Sequence, residues 1–183
     1  MADWLSQAKV VDAAVYAAVA GTETPALDLA MRRLSRAADQ SKIWFATAAG
    51  MALVGGPRGR RAAARGLISL GVASGVANLV AKPLTVRRRP DREQLEVLAV
   101  RHVPMPRSSS FPSGHAASAF AFATGAGSVQ PPLSALLRAL ATLVGYSRVH
   151  TGVHYPADVL AGAFIGVSAA ELAGRLIDAH ADR

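Results

Sequence analysis

Residues 147–171, SRVHTGVHYPADVLAGAFIGVSAAE, decide how the chain is read. The second half of this stretch, between Asp158 and Glu171, carries no charge. The first half gathers Ser147, Arg148, His154 and Asp158. Proline lacks the N–H that a helix's first turn leaves unused, and its φ already suits a helix. The stretch therefore predicts a last helix opening at Pro156. Asp158 falls in its first turn, four residues from His154.

The same alternation recurs outward along the chain. Residues 43–57 carry no charge, and Arg58, Arg60, Arg61 and Arg65 follow with no acid among them. Residues 66–81 are again uncharged, and 82–107 are polar and Arg-rich. Residues 108–137 are uncharged while His115 is neutral, and Pro131-Pro132 break them into two helices, the second running from about 133 to 148. These stretches are short against the ~20 residues that a bilayer core requires, but terminal Arg and Lys can snorkel to the interface. Gly71 with Gly75, and Gly162 with Gly166, are small-residue pairs suited to close helix contact in lipid.

Five such stretches in 183 residues favour a membrane bundle over the core helices of a soluble α protein. Composition agrees: 51% hydrophobic, 17% charged and a mean hydropathy of +0.27, where soluble domains carry about a quarter charged residues. The expected fold is all-α, an integral-membrane bundle of five or six spans. A single domain is expected, with N-terminal amphipathic helices over 1–42 and a membrane-embedded part over 43–183. In the first N-terminal helix Leu5, Ala8, Val11, Val15 and Ala18 recur at helical spacing, and Gly21 ends it. The second starts at Thr24-Pro25, with Leu27, Met31 and Leu34 apolar and Arg32, Arg33 and Arg36 beside them. Such helices suit the headgroup layer or a solvent-facing place packed on the protein. No basic n-region precedes them, so insertion is expected through internal spans.

The net charge of +8 comes from seventeen Arg and three Lys. It fits anionic lipid or a phosphorylated substrate, and equally the codon bias of a GC-rich genome. Nucleic acid is not an expected partner, because the basic residues lie between apolar stretches and only ten residues are aromatic. Cysteine is absent, which excludes disulfides and thiolate metal sites. The oligomeric state stays open, a homo-oligomer included.

Three clusters carry chemistry. Lys82 and Arg89 follow an apolar helix and can neutralise phosphate oxygens; Arg148 adds a third cation. Arg87, Arg88 and Arg92 read instead as a basic membrane flank. Pro112-Ser113-Gly114-His115 looks like a helix start whose free N–H groups bind an anion. Gly114 admits close approach, and His115 is placed to give a proton to a leaving oxygen. In the third cluster Asp158 can accept from one nitrogen of His154, leaving the other unprotonated and nucleophilic. Taken singly, each cluster is weak. Counting spans from residue 43, all three fall on one membrane face.

Lys82 with six residues to Arg89-Pro90, then Pro112-Ser113-Gly114-His115, then Ser147-Arg148 with five residues to His154 and three to Asp158, resembles the three-part signature of the type 2 phosphatidic acid phosphatase superfamily. The resemblance covers roughly 43–176. It implies a lipid phosphate phosphatase that needs neither metal nor cofactor. It implies His154 as nucleophile oriented by Asp158, and His115 as general acid. Lys82, Arg89, Ser113, Gly114 and Arg148 would bind phosphate. The short, Arg-rich chain is similar to small actinobacterial members, some assigned to decaprenylphosphoryl-5-phosphoribose. That lipid is the leading substrate expectation, with phosphatidic acid, phosphatidylglycerol phosphate and polyprenyl diphosphate as alternatives. A soluble vanadate-dependent haloperoxidase shares the signature but is longer and lacks apolar spans. A non-catalytic lipid-binding protein would not be expected to keep His115, His154 and Asp158 together. The basic loop at Arg58–Arg65 points to a multi-pass cell (inner) membrane protein with that loop cytoplasmic and the site on the extracytoplasmic face. Ser108 to Phe111 stand where a gate over the site would stand.

Overall fold

Prolines and glycines place most helix ends. The computed structural model describes residues 3–181, apart from the side chains of Leu5 and Ala181. Its helices are α1 (Asp3–Gly21), α2 (Pro25–Ala37), α3 (Lys42–Val54), α4 (Gly56–Gly75), α5 (Gly114–Val129), α6 (Pro131–His150) and α7 (Pro156–Ala181). Among the described residues there is no β-strand. Pro25, Pro131 and Pro156 each stand in the first turn of their helix. Pro112 does not open α5; it precedes Ser113, which caps the helix, so α5 starts at Gly114. α4 runs on through a π-helical turn, Val76–Ala81, where the Lys82 amide reaches back five residues to the Ala77 carbonyl at 3.0 Å. Such turns often sit beside functional sites.

The five apolar stretches read from the sequence lie in α3 to α7, but Arg58 to Arg65, read as a loop, form the first turns of α4, and the turn from α3 is the short one at Gly55. Two helical runs, Gly56–Ala81 and Pro156–His180, are long and apolar enough to cross a membrane. α5 is the axis of the bundle and packs on α4, α6 and α7. Its inner surface is made of small residues: Ala116, Ala117, Ala119, Ala121, Ala123 and Ala126 are all fully buried. Large apolar side chains face outward instead, among them Leu79, Leu160, Phe164, Leu172 and Leu176. Small residues inside and large ones outside is the pattern lipid solvent favours, because association then depends on close backbone packing.

Gly162 and Gly166 perform the close approach expected of them. A methyl group on Gly166 would lie 2.4 Å from the Ala117 carbonyl oxygen, and one on Gly162 would lie 2.3 Å from that of Ser113. Gly71 and Gly75 do not: nothing lies within 4 Å of either, so that pair faces away from the bundle. Gly166→Val is expected to separate α7 from α5 and abolish the monodisperse peak of detergent-purified protein in size-exclusion chromatography. Gly71→Val should leave that peak unchanged.

The N-terminal helices cover the end of the bundle where α5 and α7 begin. α2 turns Met31 inward and leaves Arg33 and Arg36 exposed, as its pattern predicts. α1 is turned the other way. Ala8, Val11, Val15 and Ala18 are exposed, and Asp12, Tyr16 and Ala20 are buried. The inward face of α1 was hidden in the sequence because its key residue is an acid. Arg101, fully buried, fastens this cap. Its guanidinium donates to Asp28 Oδ1 at 2.8 Å and to the carbonyls of Val19 and Ala20, the unsatisfied end of α1. His150, at the end of α6, meets the same Asp28 oxygen at 2.9 Å. Removing one member of a buried pair leaves the other charge uncompensated, at about 3–5 kcal/mol. Arg101→Ala should therefore lower the melting temperature far more than Arg33→Ala at the exposed surface of α2.

Candidate active site

The start of α7 brings the first two candidates together. His154 and Asp158 are both buried. His154 Nδ1 lies 3.4 Å from Asp158 Oδ2, long for a hydrogen bond, as catalytic contacts often are before substrate tightens them. The Tyr155 amide donates to the same carboxylate oxygen at 2.9 Å, and Ser110 Oγ donates to it as well. With Nδ1–H directed at a carboxylate, Nε2 keeps its lone pair. That nitrogen faces Arg89 Nη1 at 3.3 Å. The strand of loop carrying His154 needs Gly152, whose φ of +69 lies in the left-handed region.

Burial pushes the His154 imidazole down to about 4; the Asp158 contact opposes this and the nearby Arg89 charge adds to it. The ring is thus neutral, and nucleophilic, across the physiological range. Titration of histidine 15N signals in the solubilised protein should show it neutral at about pH 5, where a free imidazole is mostly protonated. An ordinary midpoint would contradict the burial. The unfolded chain binds this proton more readily, so stability from this group falls as pH drops from about 6.5 to 4.

Cations converge on the same point from separate segments. Lys82 Nζ is held by Asn78 Oδ1 at 2.8 Å, four residues back across the π turn. Burial lowers the Lys82 pKa, helped by the charges of Arg89 and Arg148. Arg89 is braced by the carbonyls of Val153 at 2.7 Å, Ser108 at 3.1 Å and Ser109 at 3.2 Å. Lys82, Arg89, Gly114, His115 and His154 line one cleft of about 190 Å³. Arg148 lies just behind it, 1% exposed. Its Nη1 donates to Ser35 Oγ at 2.6 Å, and its buried Nε has no partner among the described residues. Fixed guanidinium and ammonium groups around a neutral imidazole form a site for a phosphoryl group.

Ser113 is placed differently from expectation. It is fully buried, its amide donates to the Asp158 carbonyl at 2.9 Å, and its hydroxyl accepts from Ala116 N–H at 3.4 Å. It therefore fixes α5 against α7, and the N–H groups of Gly114 and His115 are the ones left at the helix end. A methyl on Gly114 would lie 3.0 Å from Asn78 Oδ1 and 3.5 Å from Lys82 Nζ. Gly114→Ala should cut turnover at least about tenfold by narrowing the cleft, with the elution profile unchanged.

Arg87 and Arg92 are not a free membrane flank. Arg87 donates to Asp158 Oδ1 at 2.7 Å, pairs with Asp12, and lies 4.4 Å over the Tyr155 ring. Asp12 in turn accepts from the Ala157 amide at 2.8 Å, at the start of α7. Arg92 donates to the carbonyls of Val103 and Gly152. Arg88 alone of the three is exposed. Ser108 to Phe111 are tied rather than loose: Ser110 N–H reaches the Arg87 carbonyl at 2.9 Å, and Thr85 Oγ1 donates to the Phe111 carbonyl at 2.7 Å. Sequence reasoning missed Asp12, Ser35, Asp39, Asn78 and the role of Arg87. Asn78 carried a readable signal, being an amide inside an apolar stretch four residues from Lys82. Among the described residues no three His, Asp or Glu side chains gather into a metal-binding group.

The sequence model of the PAP2 superfamily matches residues 63–180, which include every candidate read from the sequence but not Asp12, Ser35 or Asp39. The chain belongs to the PAP2 superfamily. It is a phosphatase, a phosphoric monoester hydrolase of the lipid phosphatase kind, and a membrane protein. It is 35% identical over 153 residues to the decaprenylphosphoryl-5-phosphoribose phosphatase of Mycolicibacterium smegmatis, covering 81% of this chain and 77% of that one. The crystal structure of the first transmembrane PAP2-type phosphatidylglycerolphosphate phosphatase from Bacillus subtilis superposes with a TM-score of 0.68 at 25% identity, over 94% of this chain and 87% of that one. Aquifex aeolicus LpxE shares the fold, with a TM-score of 0.71 at 22% identity over 88% of this chain and 93% of that one.

Proposed function

We propose that this PAP2 phosphatase hydrolyses a prenyl-linked phosphosugar through a phosphohistidine on His154. The observation that carries the mechanism is the pairing at His154: Nδ1 faces Asp158 and Nε2 opens toward Arg89 in the cleft. Nε2 attacks phosphorus. Lys82, Arg89, Arg148 and the amides of Gly114 and His115 take the charge on the equatorial oxygens. His115 protonates the departing sugar oxygen and later takes a proton from the water that hydrolyses the phosphohistidine. Ser113 serves this site by fixing α5.

The similarity to the mycolicibacterial enzyme over most of both chains supports decaprenylphosphoryl-5-phosphoribose as the substrate. We place residues 43–183 in the cell membrane and 1–42 at its surface above the site. Arg58, Arg60 and Arg61 are exposed at the far end of the bundle, near the end of α7, where Arg65 pairs with Asp178 at 2.7 Å. The positive-inside rule makes that end cytoplasmic and the site extracytoplasmic. A reporter fused after residue 183 should therefore read cytoplasmic, and a periplasm-type signal would invert the assignment.

The deciding experiment is phosphate release by detergent-purified protein with EDTA present. The panel holds a prenyl-phosphoribose phosphate, phosphatidic acid, phosphatidylglycerol phosphate and a polyprenyl diphosphate. Fastest release from the prenyl-phosphoribose phosphate supports the reading. Preference for phosphatidylglycerol phosphate would replace the substrate while keeping the site.

A further inference from the structure

Asp39 brings a carboxylate to His115, beside the residues Ala38, Gln40 and Ser41 that line the cleft. It lies in the short turn Asp39–Ser41 between α2 and α3. Its Oδ1 is 3.0 Å from His115 Nε2 and 3.4 Å from Arg148 Nη1. The turn is an unusual one. Gln40 and Ser41 both adopt left-handed conformations, at φ 54 and φ 60, which residues other than glycine sparsely populate. Buried Ala38 and Trp44 flank the turn, and the Ser41 amide closes it on the Ala38 carbonyl at 3.1 Å. Ala38, Gln40 and Ser41 also line the cleft that holds His154. The fold thus sustains local strain at the point where this carboxylate meets His115.

The contact fixes which nitrogen does what. A hydrogen bond from His115, and then the Arg148 charge, hold the Asp39 carboxyl below the usual carboxylate range. An ionised carboxylate only accepts, so the proton between the two residues is on His115 Nε2. The other ring nitrogen, Nδ1, is the one left to exchange a proton with substrate. Asp158 treats His154 in the mirror sense, taking Nδ1 and leaving Nε2.

We propose that Asp39 is a positioning residue for the general acid, holding His115 through Nε2–H so that Nδ1 delivers the proton to the departing oxygen. This rests on the reading of His115 given above. In the first step the His154 Nε2–P bond forms and the phosphomonoester P–O bond to the substrate's alkyl oxygen (the sugar oxygen in a prenyl-linked phosphosugar) breaks. The electron pair of that bond takes the Nδ1 proton of a doubly protonated His115, which keeps its Nε2–H hydrogen-bonded to Asp39. In the second step water attacks phosphorus, Nδ1 takes one of its protons, and the Nε2–P bond breaks with its electrons returning to His154.

The test uses the full chain in detergent and two phosphomonoesters. Nitrophenolate leaves without a proton, whereas an alkoxide does not. The comparison is made in kcat/KM, which reports the steps up to departure of the leaving group and not the phosphohistidine hydrolysis that both esters share. Asp39→Asn is therefore expected to lower it on dodecyl phosphate at least about tenfold while leaving p-nitrophenyl phosphate within about threefold. Asp39→Glu should recover part of the alkyl activity. His115→Ala should show the same selectivity more strongly, and the Asp39→Asn/His115→Ala double variant should be no worse than His115→Ala. Equal losses on both esters from a well-folded Asp39→Asn protein would overturn the proposal, leaving Asp39 a structural residue. A gain in turnover or tighter inhibition by inorganic phosphate would overturn it in another way, making Asp39 a competitor for the phosphate cations. If His115→Ala itself lacks leaving-group selectivity, the general-acid reading falls and this proposal with it. Selectivity in His115→Ala but not in Asp39→Asn sinks only the part assigned to Asp39.

Discussion

Alanine in place of His154 should lower phosphate release from every lipid phosphate by at least about a thousandfold. The size of the effect follows from the absence of a substitute. Lys82 is engaged with Asn78, the Ser113 hydroxyl is turned into the helix cap, and His115 faces Asp39. Only water remains to attack a phosphate that the cations still bind, so KM should change far less than kcat. The intermediate gives an independent readout. Quenched reactions of the wild-type protein with a 32P-labelled ester should leave label on the protein that is stable to alkali and lost in acid, as a phosphoramidate is. His154→Ala should carry none. Label that persists in the variant, or release that survives it, would place the nucleophile elsewhere.

The spans were legible because their signal is local. An uncharged stretch between Arg-rich segments specifies a helix without reference to the rest of the chain, and each such stretch lies in one of α3 to α7. The prolines read from the sequence open only α6 and α7, however, and α4 starts at Gly56, ten residues before its stretch. Ser113, His115, His154 and Asp158 were legible for a related reason, since they stand within two residues of the helix starts at Gly114 and Pro156; Lys82, Arg89 and Arg148 were read from their spacing within the signature. Asp12, Ser35 and Asp39 were not. Each acts across more than 70 residues of chain, on Arg87 and Ala157, on Arg148, and on His115. Nothing in their own neighbourhoods marks them: Asp12 interrupts an apolar pattern that faces outward, and Asp39 follows a basic helix as any surface acid does. The buried face of α1 was not legible for the same reason. Periodicity reports which residues share a face, but the burial of that face depended on a charge meeting Arg87.

Asparagine at position 158 should lower kcat on the order of a thousandfold to ten-thousandfold with KM little changed, because Asp158 acts through His154 without touching phosphate. The carboxylate is fully buried and spends its oxygens on Arg87 at 2.7 Å, Ser110 Oγ, the Tyr155 amide at 2.9 Å and His154 Nδ1. An amide of the same shape has one accepting oxygen for these donors. It leaves Arg87 without a counter-charge there, and its NH2 can turn toward His154 and favour the tautomer with hydrogen on Nε2. That tautomer has no lone pair in the cleft. Arg87→Met should cost less, about tenfold in kcat, since three donors still hold the carboxylate. If Arg87 works only by holding Asp158, then adding Arg87→Met to Asp158→Asn brings no further loss. Multiplicative losses in the double variant, or an Arg87→Met effect confined to KM, would mean that Arg87 meets the substrate directly. A loss under tenfold in Asp158→Asn would mean that burial alone, and not the carboxylate, keeps His154 in its reactive form.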